Sequence, residues 1–88
     1  RFAKPTADIF SVGATMYRLI SGHTIYNLSD HETPLATILN DGPIPLRERA
    51  PDVPRSVSRI VDRALAAEPA DRFQSAEQMR RAIEKLLQ

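Results

Sequence analysis

Cysteine and tryptophan are absent from this 88-residue chain, and glycine occurs only three times. Without cysteine there are no disulfides and no thiolate metal sites, and nothing reports the redox compartment. A dominant charge is also missing. Twelve Lys and Arg against eleven Asp and Glu leave a net +1, which exerts no strong pull toward nucleic acid or an anionic membrane. The basic residues, ten Arg and two Lys, are scattered rather than massed. No apolar run approaches the ~18 residues of a membrane span. The opening Arg1-Phe2-Ala3-Lys4-Pro5 lacks the apolar core of a secretory signal. The expected location is the cytoplasm, or the cytoplasmic part of a membrane-anchored protein. No strand-period alternation and no internal repeat is present.

What remains is ordinary globular composition, 42% hydrophobic and 26% charged, in a length that suits one domain at most. A chain this short buries only roughly 60–65% of its unfolded surface. The absence of an initiating Met, on what reads as mid-domain loop sequence, favours a fragment.

The periodicity predicts an all-α chain of four helices, about 7–20, 34–39, 55–67 and 76–87, joined by long loops. In the first, Thr6 is placed as N-cap, Asp8 complements the helix dipole, and Ser21-Gly22 supplies the stop. Its apolar residues, from Ile9 and Phe10 to Leu19 and Ile20, cover most of the circumference, the pattern of a buried helix. Pro34 and Asn40-Asp41-Gly42 bracket the second. Residues 43–54 carry four prolines and read as an extended connection. Val57, Ile60, Val61, Ala64 and Leu65 form a one-sided stripe on the third helix, which Glu68-Pro69 ends. Ser75 and Gln78 make a capping-box pattern before the fourth, whose buried stripe is Met79, Ala82, Ile83, Leu86 and Leu87.

Two stretches carry a resemblance. Asp8-Ile9-Phe10-Ser11-Val12-Gly13, closing in Leu19-Ile20-Ser21-Gly22, resembles the central buried helix of protein kinases. Pro69-Ala70-Asp71-Arg72, followed by Phe73-Gln74-Ser75-Ala76-Glu77, resembles the Pro-x-x-Arg motif that joins the last two helices of the same domain. The form Leu65-Ala66-Ala67-Glu68-Pro69-Ala70-Asp71-Arg72-Phe73 looks most like bacterial Ser/Thr kinases. Tyrosine kinases usually carry a Trp before this motif and a Pro after its Arg. The resemblance covers essentially the whole chain and implies the C-terminal helical lobe, entered after the activation segment.

The resemblance also implies a parent that transfers the ATP γ-phosphate to protein Ser or Thr with magnesium. Nothing in residues 1–88 matches the glycine-rich loop, the strand Lys, the His-Arg-Asp loop, the Asp-Phe-Gly metal site or the Ala-Pro-Glu end of the activation segment. Those parts perform the transfer. The chain alone is therefore expected to be catalytically inactive, to hold no cofactor and to lack catalytic residues.

By the same resemblance Asp8 holds the catalytic loop through its backbone amides, and Arg72 pairs with a Glu that precedes Arg1. Ser11 and Gly13 are packing residues, and Pro69 belongs to the interhelical motif. Against these stand plainer readings: Asp8 as a first-turn acid, Arg72 as a solvated loop residue paired with Asp71 or Glu68. Residues 22–42 dock substrates or a second kinase in the family, which makes Ile25, Tyr26, Leu35, Ile38 and Leu39 a candidate docking surface. The alternative is that they pack inward on the first helix. His23 and His31 have no ligand-pair spacing and no Cys beside them.

Arg55, Arg59 and Arg63 draw a basic line on the third helix, the usual look of a solvated face. The expected partners are the remainder of the kinase domain, a protein substrate or second kinase, and a second copy, because the apolar first helix would be uncovered on one side. Nucleic acid is not expected. A competing function is a non-catalytic helical interaction module, truncated or derived from a kinase that lost activity.

Overall fold

The computed structural model of the chain describes residues 5–25 and 43–87. Among them lie four α-helices, a 3-10 turn and no strand: α1 (Pro5–Ser21), α2 (Leu46–Arg49), α3 (Arg55–Ala64), the turn Pro69–Asp71, and α4 (Ala76–Leu86). The all-α expectation holds, with one substitution among the four. The helix expected at 34–39 lies outside the described residues, while α2 falls inside the stretch read as extended. Counting prolines hid it. Pro45 sits at its N-cap and Leu46-Arg47-Glu48-Arg49 are good helix formers, so proline here opens a helix rather than forbidding one.

α1 starts two residues earlier than expected, at Pro5, a residue suited to a first helical turn because it lacks only an N–H that would be orphaned there. It ends as expected. Gly22 takes φ 77° and its N–H donates to the Arg18 carbonyl at 2.9 Å, a left-handed conformation that costs glycine nothing. α3 stops at Ala64, three residues short of the expected end. Its last turn tightens, Leu65 N–H reaching both Val61 and Asp62 carbonyls and Ala66 N–H reaching Arg63. Pro69 then forces Glu68 into an extended conformation. At α4 the Ser75 hydroxyl accepts from Gln78 N–H at 3.1 Å. The returning contact goes one residue further back than a standard capping box, Gln74 N–H donating to Gln78 Oε1 at 2.7 Å.

The core has two adjoining parts. Ile9, Ile60, Ala64, Phe73 and Met79 form one; Tyr17, Leu46, Val61 and Leu65 form the other, with Phe10, Ile25 and Val53 packed on its edge. The α3 stripe is buried as expected except that Val57 is half-buried and Ser58 is buried in its stead, its hydroxyl donating to the Arg55 carbonyl. The α4 stripe is covered over its first half: Met79 is buried and Ala82 and Ile83 are half-buried against the core, whereas Leu86 and Leu87 are exposed.

The expectation of an α1 buried on all sides is corrected as well. Ile9, Gly13 and Tyr17, one turn apart, are buried, yet Val12 and Leu19 are 48% and 79% exposed and Ile20 is also exposed. The described elements cover one face of an apolar helix and leave the other to solvent.

Candidate functional site

α1 touches every other helical element described: α2, α3, α4 and the 3-10 turn. The residues singled out in its sequence divide between its two faces. Gly13 is buried against α3, where a Cβ built on it would lie 2.8 Å from the Ala64 Cβ and 3.2 Å from the Leu65 Cγ. This is a close approach that only a missing side chain permits. Ser11 is exposed, and its hydroxyl donates back to the Ala7 carbonyl at 3.2 Å, the i−4 bond typical of helical Ser. Packing therefore falls on Gly13. Asp8 lies exposed in the first turn.

Arg72 lies at the junction between the start and the end of the chain. Its Nε donates to the Ala66 carbonyl at 2.8 Å, one terminal nitrogen to Thr6 at 3.3 Å and the other to Ala67 at 3.4 Å. The guanidinium lies 4.7 Å from the centre of the Phe10 ring. The Ala66 and Ala67 carbonyls follow the end of α3, where a helix leaves acceptors unsatisfied and its dipole favours a cation. The Thr6 carbonyl and the Phe10 ring belong to α1. One half-buried side chain thus fastens α1 to the α3–α4 connection.

Pro69 opens the 3-10 turn of that connection. Gln74, which sequence reasoning passed over, stitches it: its Nε2 donates to the Pro69, Ala70 and Arg72 carbonyls at 3.1, 3.2 and 2.7 Å. The only sequence signal was an amide two residues beyond the motif's Arg.

Of the docking candidates, Ile25 is half-buried and packs against the part of the core containing Tyr17. Tyr26, Leu35, Ile38 and Leu39 lie outside the described residues.

Asp62 holds two elements together, a role that the sequence did not show. Its Oδ1 accepts the Leu46 N–H at 3.0 Å and pins α2 to α3. Burial pushes the carboxyl above its ordinary value, outweighing the lowering by that hydrogen bond. The folded state therefore holds the proton more tightly than the unfolded chain. This group's penalty is present at neutral pH and relieved as pH falls through the raised pKa toward the ordinary value of 3.8.

Replacing Asp62 by Asn keeps an oxygen for Leu46 and removes the charge. Urea denaturation should find Asp62→Asn at least as stable as the parent near neutrality, with the advantage shrinking on acidification. Asp62→Ala leaves the amide of fully buried Leu46 unpaired and should cost about 1–3 kcal/mol. Burial also pushes the Tyr17 hydroxyl up, partly offset by Arg49; the oxygen is buried without a hydrogen-bond partner among the described residues.

No family model matches the chain. It is similar to named bacterial kinases over most of its length. It is 37% identical over 71 residues to serine/threonine-protein kinase PknK of Mycobacterium bovis, a match covering 77% of this chain and 6% of that protein. It is 31% identical over 81 residues to tyrosine-protein kinase MasK of Myxococcus xanthus, covering 92% and 12%. It is 32% identical over 84 residues to serine/threonine-protein kinase PknL of Mycobacterium tuberculosis, covering 84% and 18%. The chain thus spans between 6% and 18% of the length of these relatives. No helix among the described residues is long and apolar enough to cross a membrane.

Proposed function

The chain is kinase-related in sequence, and from that premise we propose that residues 1–88 are the C-terminal part of the helical lobe of a bacterial Ser/Thr protein kinase. The parent transfers the γ-phosphate of ATP, bound with magnesium, to protein Ser or Thr. These residues scaffold it and carry part of its docking face, without catalytic groups of their own. The observation that supports this reading most is the geometry of α1, a hub touched by every other described element yet apolar and exposed along Val12, Leu19 and Ile20. A helix built this way is shaped for a second layer. The proposed second layer is the preceding part of the kinase domain.

The reading is tested by grafting. The matching segment of PknK is replaced by residues 1–88, and autophosphorylation is compared with PknK and with PknK lacking the segment. The graft is expected to stay within about tenfold of PknK, a barrier change of at most about 1.4 kcal/mol, while the deletion is inactive. The 88-residue chain alone, given ATP, magnesium and a protein acceptor, is expected to transfer nothing above background. A graft that folds by circular dichroism but is as inactive as the deletion overturns the scaffold reading. Transfer by the isolated chain overturns the absence of catalytic groups.

A further inference from the structure

We propose that the groove between α3 and α4 is a docking site for an acidic amphipathic helix of another protein. The observations carrying it are independent of the kinase assignment. The groove is an open-sided depression of about 480 Å³. The groove's apolar lining open to a partner is Leu86, exposed at the lip, and half-buried Ala82; Ile60 and Phe73 beneath them are nearly inaccessible. Its rim is basic on both walls: Arg59 and Arg63 from α3 face Arg81 and Lys85 from α4. The basic line noted in the α3 sequence is therefore half of a two-sided arrangement.

Local carboxylates leave most of that charge available. Glu84 is taken by Arg80, and Glu77 is shared between Arg80 and Arg81. Arg59 and Lys85 form no ion pair among the described residues. An apolar strip at Leu86 and Ala82 with Arg59 and Arg63 on one helix and Arg81 and Lys85 on the other complements a helix with an apolar stripe flanked by carboxylates, whose stripe meets Leu86 and Ala82 while its acids meet the cations. Nucleic acid suits the site less well. The face of Phe73, the groove's aromatic floor, is capped by the Arg63 guanidinium at 4.3 Å. Among the described residues the groove leaves no ring open for a base to stack on.

The test titrates the 88-residue chain into a fluorescent peptide of about 18 residues, long enough to be helical, with Leu along one face and Glu elsewhere. Saturable binding is expected, weakened roughly tenfold or more by Arg59→Glu combined with Lys85→Glu, a change of at least about 1.4 kcal/mol. Both residues are exposed, so the thermal melt should not move. Replacing the peptide's Glu by Gln should weaken binding comparably, an arm that leaves the protein untouched. Replacing its Leu by Ala should do the same. The proposal is overturned by absence of saturation, by equal binding of the Gln peptide, or by duplex DNA of equal charge binding as tightly as the acidic peptide.

Discussion

Gly13→Leu is expected to abolish cooperative folding of the chain. The first side-chain carbon alone would sit 2.8 Å from the Ala64 Cβ, and neither atom can move without moving a helix. Overpacking a core costs about 1–3 kcal/mol in ordinary cases and more when backbones must separate. A chain of 88 residues has about 4–13 kcal/mol to lose, at 0.05–0.15 kcal/mol per residue.

The smaller change Gly13→Ala sets two effects against each other. Alanine in mid-helix gains about 0.8–1 kcal/mol of intrinsic propensity, and the contact with Ala64 costs more because it is shorter than real Cβ contacts. The expected net is a loss of about 1–2 kcal/mol. The double variant Gly13→Ala, Ala64→Gly restores the gap on the other helix. Urea denaturation should show it more stable than the sum of the single changes, with coupling of about 0.5–3 kcal/mol. Additivity within error would mean that the two helices do not meet at these residues.

The parts of the fold legible in the sequence were those fixed locally. The α3 stripe, the Ser75 cap and the Gly22 stop each depend on residues within one or two turns, and each stands where expected apart from half-buried Val57 in the stripe. Gly13 was legible only as a packing residue; that Ala64 would approach it closely was not. The errors share one cause, reading a residue type without its neighbours in space. Four prolines in 43–54 suggested extension, yet Pro45 precedes a helix whose first residue is buried against α1 and α3 and whose amide is held by Asp62. The apolar circumference of α1 suggested burial throughout, but coverage depends on partners, and the described elements supply them on one side only. Arg59 and Lys85 show the converse, since residues 26 apart in the chain become opposite rims of one groove only when α3 and α4 pack.

Removing Arg72 is the other change with a large expected effect, and its size follows from what one guanidinium joins. It donates to three main-chain carbonyls on two separate segments and lies over the Phe10 ring. A hydrogen bond from a charged donor contributes about 1.5–3 kcal/mol when well buried. Partial exposure and the longer bonds to Thr6 and Ala67 reduce that. A cation beside a helix C-terminus adds about 0.3–1 kcal/mol. Arg72→Ala should therefore cost about 2–3 kcal/mol, lowering the melting temperature by about 10–20 °C in a domain of this size.

Arg72→Lys separates charge from geometry. Lysine keeps the cation near Ala66 but cannot span three acceptors with a fixed fork or lie flat on a ring, so it should recover no more than about half of the loss. In the PknK graft the same pair of variants separates local fastening from the role proposed by resemblance. If Arg72 also pairs with a carboxylate preceding Arg1, autophosphorylation should fall further than instability explains, and lysine should restore part of it. If activity merely follows the melting temperature in both variants, Arg72 does no more than tie α1 to the α3–α4 connection.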